Sequence, residues 1–412
     1  MTDSATPPAP SPSPPAPSSP PAPSPSPPAL SAPPALSAAE TRVAEALLAQ
    51  AWGERTEVRE AAVIWNRRHV VRLDIGADRS VVLKRRDEEG DGFGVELAVL
   101  EYLNGMPVPV APRLLGADTA AGMLLMEDLG AGASLAGSLL GTDRDRAKAD
   151  LIAYAQALGS LHAWSVDRAD ELADLRARYA PAAAPGPAWM GAAARGRDAF
   201  LGAAAALGLT ASGVDQEIAE LDAMLTGSGY LGLVHSDPCP DNTRMLDGRC
   251  RVFDFETSGW GPVVLDAAYL QAPFPSCWCF ASLAAEVAAP ATEAYRAVIA
   301  AAGIDLGPDW DAATAAALGY WIVARGRVIT GVLEEDDQWG TTTMRPRLLT
   351  WMRNFIETAE RSRVLPSLRA LIGGLHERLT LRWPDTVMPD YPALARPGST
   401  PVPVPDWWPP ET

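Results

Sequence analysis

The stretch His235-Ser236-Asp237-Pro238-Cys239-Pro240-Asp241-Asn242 gathers an imidazole, carboxylates and an amide on one short loop, and Asp254-Phe255-Glu256 begins twelve residues after Asn242. Carboxylate and amide oxygens are hard donors of the kind Mg²⁺ accepts, and one or two of them suffice because the ion keeps several waters. A further carboxylate on the same loop can orient a hydroxyl and take its proton. That combination suits phosphoryl transfer, in which the protein mainly positions the reactants and neutralises charge. On this reading Asp237 is the catalytic base, and Asn242 and Asp254 are metal ligands.

The neighbouring segments explain how these groups could be presented. Residues 248–253 alternate polar and apolar side chains and read as a strand that delivers Asp254. The apolar run 230–234 reads as a strand anchoring the loop from the other side. Upstream, 58–65, 69–75 and 80–85 read as three strands joined by turns at Asn66-Arg67-Arg68 and Gly76-Ala77-Asp78-Arg79. Lys84 lies near the end of the third. A helical pattern over 95–103 carries Glu96, with Glu101 as the rival partner for Lys84. Apolar spacing also predicts a helix over 144–164, ending in Leu161-His162, and one over 313–332. The arginines of the 66–68 turn and the acidic run Glu334-Glu335-Asp336-Asp337 are read first as solvated charge. Tyr295, Trp310, Trp321, Trp351 and Phe355 are expected in the core.

Three blocks in order, His235-x-Asp237 with Asn242, then Val252-Phe253-Asp254-Phe255-Glu256, then Gly261-Pro262-Val263-Val264-Leu265-Asp266-Ala267-Ala268, resemble the aminoglycoside phosphotransferase and choline kinase group of small-molecule kinases. That group's loop reads H-G-D-x-x-x-x-N; here Ser236 stands for the glycine, and Asp241 replaces a small residue. The resemblance implies an α+β, bilobal protein-kinase-like fold, with a small antiparallel-sheet N-lobe over 38–128 and a mostly helical C-lobe over 129–396. It implies ATP (or GTP) and Mg²⁺ as cofactors. Lys84 would touch the nucleotide phosphates with Glu96 aiming it, and Glu127 and Leu129 would flank the adenine hinge. Glu256 would join Asn242 and Asp254 at the metal, while His235 and Asp266 would support the loop. The implied acceptor is a hydroxyl of a small molecule: an aminoglycoside or other antibiotic, a choline-like amino alcohol, homoserine or a sugar. A catalytically inactive, nucleotide-binding pseudokinase is the alternative. A protein kinase is disfavoured, because neither a glycine-rich loop nor an A-P-E block is present.

Composition sets the outer limits. At 412 residues and 48% hydrophobic content, the chain can fill two lobes. Residues 1–37 hold fifteen prolines and a single charged residue, Asp3, and predict a disordered, partly polyproline II arm. Ser37 and Glu40 form a capping-box pattern that opens the first helix. Residues 397–412 read as an extended Pro/Trp-rich tail. A net charge of −17 argues against nucleic acid or an acidic membrane as a partner. No signal peptide or membrane span is evident, which predicts a cytoplasmic protein. The four cysteines lack ligand or framework spacing and are expected to be packed, free thiols. Nothing in the sequence indicates an oligomeric state.

Overall fold

The computed structural model describes residues 35–64, 69–87, 92–210, 212–227, 230–271, 276–307 and 309–408. It begins with helix α1 (Ala38–Trp52), whose N-terminus carries the reciprocal Ser37–Glu40 capping box. Ala35 and Leu36 already pack onto the fold: the Ala35 carbonyl accepts from Arg85, and Leu36 is buried. The rest of the proline-rich arm and the Asn66-Arg67-Arg68 turn lie outside the described residues.

Five antiparallel strands follow: β1 (Glu60–Val63), β2 (Val70–Gly76), β3 (Arg79–Arg85) and, after helix α2 (Gly92–Leu103), β4 (Leu114–Asp118) and β5 (Met123–Glu127). Their spatial order is β1-β2-β3-β5-β4. Side chains alternate across a strand, so β3 divides its residues between two environments. Val81 and Leu83 join a core beneath α1, whereas Val82 faces α2 and belongs to the main core. Lys84 has the parity of Val82 and therefore emerges on the α2 face. Helix α2 is buried on nearly every side, which explains why its sequence lacks a polar stripe. At Gly94 an added Cβ would stand 2.1 Å from the Tyr179 carbonyl oxygen, so the close seat of α2 on α5 (Ala169–Tyr179) requires glycine.

The remainder is largely helical. Helices α3 (Leu135–Leu140), α4 (Arg144–Ser165), α6 (Ala192–Ala206) and α7 (Val214–Gly227) precede the short strands β6 (Leu231–Val234), β7 (Thr243–Leu246), β8 (Arg249–Val252) and β9 (Gly259–Pro262). Strand β6 pairs with β9, and β7 with β8. Then come α8 (Val264–Ala267), α9 (Ala285–Ala301), α10 (Asp309–Ala324), α11 (Gly326–Glu334), α12 (Met344–Ser362) and α13 (Pro366–Arg382). The architecture is the α+β, bilobal, kinase-like one. Tyr295, Trp310, Trp321, Trp351 and Phe355 are all buried. Among the described residues no helix is long and apolar enough to cross a membrane.

Two expectations are corrected. The helical pattern over 313–332 is two helices, broken at Arg325, because the apolar periodicity continues across a change of direction it does not encode. The four cysteines are not all free thiols: Cys239 and Cys277 form a disulfide, while Cys250 and Cys279 are free and buried. The two bonded residues are 38 apart in sequence, and tertiary folding alone brings their Cα atoms to 5.7 Å. Their thiolates are therefore not available to a metal. Quantitative alkylation of the unfolded, unreduced protein is expected to label Cys250 and Cys279 only, and prior reduction to label all four; four labelled cysteines without reduction would contradict the bond.

Candidate active site

The site forms where β3 and α2 face the segment after β8. Lys84 Nζ lies 2.6 Å from Glu96 Oε2, 2.7 Å from Asp254 Oδ1 and 3.3 Å from Glu256 Oε2. Burial works against its charge, but the three carboxylates more than offset that penalty and hold the ammonium protonated, well above its ordinary range. Glu96 is completely buried, and burial pushes its carboxyl upward although Lys84 opposes the shift. Glu101 is engaged elsewhere, accepting from the Tyr179 hydroxyl at 2.7 Å. A cavity of 330 Å³ beside this cluster is lined by Lys84, Gly92, Phe93, Glu256 and Thr257, among others.

Asp254 reaches Lys84 from an unusual backbone. Its φ is 72°, in the left-handed region that side chains seldom adopt, and Ser236 shares that conformation at φ 73°. Single residues of this kind cost on the order of 1–3 kcal/mol and persist where the surroundings over-determine them. Here the surroundings are explicit. Asp266 accepts the His235 backbone N–H on Oδ2 at 2.6 Å and the Ser236 N–H on Oδ1 at 3.1 Å. Four loop carbonyls are also held by side chains from outside the loop. Ser258 holds that of His235, Trp189 that of Ser236, Tyr154 that of Pro238, and Thr243 that of Pro240. His235 Nε2 meets the Phe253 carbonyl at 3.0 Å, tying the loop to the residue before Asp254. His162 bridges the Tyr295 hydroxyl and Asp266.

The other expected residues are placed as follows. The Phe253 N–H donates to the Asn242 carbonyl at 3.0 Å, so Asn242 and Asp254 sit side by side at the base of the β7–β8 hairpin. Asn242 Nδ2 donates to the Asp237 carbonyl at 3.1 Å, which leaves its Oδ1 as the acceptor end. Burial pushes the Asp237 carboxyl up to about 6, opposed by the Ser276 hydroxyl and by His235. Glu127 ends β5, with its carboxylate turned onto the Arg113 N–H and toward Arg251, and Leu129 is buried just beyond. Between them Asp128 takes a bidentate contact from Arg72, a bond from Ser80 and the Gly130 N–H, which braces the strand exit. Glu334, Glu335 and Asp337 are exposed, while Asp336 accepts the Arg345 N–H.

Sequence reasoning missed Tyr154, Trp189, Ser258, Ser276 and Arg325. The Arg325 guanidinium stands 4.9–5.6 Å from the ring centres of Trp189, Trp321 and Trp351, and burial lowers its pKa. It also missed the tail's contact. Trp407 and Trp408 each pack 4.7 Å from Trp278, whose indole N–H donates to Asp241 in the loop. None of these side chains lies in a local pattern, although a buried tryptophan beside a polar loop is a recurrent place for such bonds.

The model of the phosphotransferase enzyme family matches residues 65–316, which include the strand of Lys84, the loop and Asp254. The chain belongs to that family. Among solved structures, the phosphotransferase is similar to an aminoglycoside phosphotransferase from Alicyclobacillus acidocaldarius subsp. acidocaldarius DSM 446, at 14% identity and a TM-score of 0.44, covering 79% of this chain and 93% of that one. It is similar to choline kinase LicA from Streptococcus pneumoniae at 11% identity, TM-score 0.41, with 80% and 100% covered. A macrolide 2'-phosphotransferase, MphH from Brachybacterium faecium, gives 14% identity, TM-score 0.41, and 70% and 94% coverage. No curated protein sequence matches it.

Two outcomes follow for the phosphotransferase. Ser236→Gly removes left-handed strain of about 1–2 kcal/mol at the cost of some unfolded-state entropy. It also deletes a buried hydroxyl that has no hydrogen-bond partner among the described residues. Denaturant unfolding is expected to show stabilisation of about 1 kcal/mol; a destabilised variant would contradict the strain. If Asp237 works as a carboxylate, protonation through its raised pKa near 6 removes activity, so the rate should fall as pH drops through that value. A pH–rate profile flat down to pH about 4.5 would deny Asp237 that role.

Proposed function

We propose that this phosphotransferase moves the γ-phosphate of ATP or GTP to a hydroxyl group of a small molecule. The observation that carries the reading is the meeting of Lys84, delivered by β3, with Asp254, delivered by the β7–β8 hairpin, at 2.7 Å. A cation for nucleotide phosphates and a carboxylate for a metal thus face one cleft, with Asp237 and Asn242 on the adjoining loop.

The residues fit a magnesium ion. Glu96, Asp254 and Glu256 bring carboxylate oxygens within 4.8 Å of one another. Three carboxylates around one ammonium carry a formal charge of 1 − 3 = −2, which a divalent cation balances. Asp254 and the Asn242 amide oxygen would hold the ion with Glu256, while Glu96 stays with Lys84. When bound, Mg²⁺ supplies charge neutralisation to the phosphate oxygens. Lys84 orients the nucleotide phosphates, and Asp237 orients the acceptor hydroxyl and takes its proton late in transfer. Asp266 keeps both in register by clamping the loop's backbone. Aminoglycosides, other antibiotics, choline-like amino alcohols, homoserine and sugars remain the acceptor classes to test. The pseudokinase reading is weakened because Lys84, Asp237, Asn242 and Asp254 are all retained together.

The test is Mg²⁺-dependent nucleotide consumption with a panel of antibiotics, amino alcohols and sugars. Asp254→Ala should abolish activity, and Asp237→Ala should lower the rate by about 10²–10⁴-fold. Glu256→Ala should retain more activity than Asp254→Ala. Undiminished turnover in Asp254→Ala would refute the metal assignment. A wild type that binds nucleotide but phosphorylates nothing in the panel would favour the pseudokinase.

A further inference from the structure

We infer that Ser276 is a positioning residue for Asp237: it occupies one carboxylate oxygen and thereby aims the other at the acceptor hydroxyl. The inference rests on the reading that Asp237 takes the acceptor's proton.

The Ser276 hydroxyl donates to Asp237 Oδ1 at 2.8 Å and lies 2.6 Å from the Tyr269 hydroxyl. A serine has a single proton to give. Because that proton is committed to the carboxylate, Tyr269 must be the donor to Ser276, and the phenol is suited to that part. It is fully buried, and burial first of all keeps its pKa far above the ordinary tyrosine range, so it remains a neutral donor. The bonds therefore run in one sense, Tyr269 to Ser276 to Asp237, and each polarises the next. The Cys239 sulfur stands 3.0 Å from the same Oδ1 and, being in a disulfide, has no proton to offer. Oδ1 is thus enclosed, whereas among the described residues no hydrogen bond is made to Oδ2.

Ser276 is held through the residues that follow it. Its neighbour Cys277 is bonded to Cys239, two residues beyond Asp237, so the bridge ties the two chain segments together right beside the Ser276–Asp237 contact. The buried Arg347 guanidinium then fixes the Cys277 and Trp278 carbonyls at 2.7 and 3.0 Å. A carboxylate turns easily about its last torsion, which is broad rather than three-welled. Without the serine either oxygen could face the acceptor, or neither. Misplacement of this size reduces rate rather than nucleotide binding.

The experiment compares wild type, Ser276→Ala and Ser276→Thr in Mg²⁺-dependent ATP hydrolysis, with water as the acceptor, and in crystal structures. Ser276→Ala is expected to lower kcat about tenfold while KM for ATP stays within about twofold. Ser276→Thr, which keeps the hydroxyl, should recover most of the loss. In the crystals the Asp237 carboxylate should be turned or spread over two orientations in Ser276→Ala only. An unchanged kcat, or a carboxylate that stays in place without the hydroxyl, would overturn the inference. If the wild type hydrolyses no ATP with water as acceptor, the carboxylate orientations alone decide the role of Ser276, and the proposed function is decided separately by the acceptor panel.

Discussion

A lysine ammonium almost shut off from water, with carboxylates from both lobes around it, is the constraint that the rest of the molecule accommodates. Isolated charge in a protein interior is costly, and stripping one partner from a buried pair typically costs about 3–5 kcal/mol. Lys84 can occupy its position only because Glu96 on α2 and Asp254 beyond the β7–β8 hairpin meet it there. Strand β3, helix α2 and that hairpin are thereby locked into one relative placement. The same electrostatics leaves an excess of negative charge in the cleft, so the arrangement that joins the lobes is also receptive to a further cation.

The second constraint is conformational. Asp254 and Ser236 both sit at positive φ without being glycine, and the structure surrounds them with hydrogen bonds rather than relaxing them. Asp266 supplies the largest share by accepting two successive backbone N–H groups. Tyr154, Trp189, Thr243 and Ser258 then take the loop's carbonyls. Holding a loop's backbone groups with side chains from outside it makes one path for the chain much cheaper than its alternatives. The strain sits next to the groups proposed to act, and the bracing holds Asp237 and Asn242 in a rigid presentation. The disulfide and the tail tryptophans extend that bracing to the far side of the loop.

Much of this was legible in the chain. The capping box of α1, the three N-terminal strands, the helix of Glu96 and the loop with its downstream hairpin are governed by local rules of capping, alternation and periodicity. They were therefore readable from spacing within about a dozen residues. The proposed site was read from residue types and from the order of three motif blocks, all of which lie within a few tens of residues of one another. What local rules could not supply was who touches whom across the lobes.

Sequence by itself determined the chemical inventory: clustered carboxylates, an amide, an imidazole, a lysine and the short elements bearing them, since each depends on side-chain identity and on neighbours a few positions away. Tertiary structure alone decided that Arg325 breaks a continuous apolar pattern and that Cys239 finds Cys277. It also decided that Ser276 rests on Asp237. The disulfide and the Ser276–Asp237 bond join residues 38 and 39 positions apart, and they are set by packing of the whole core, which no short window of sequence contains.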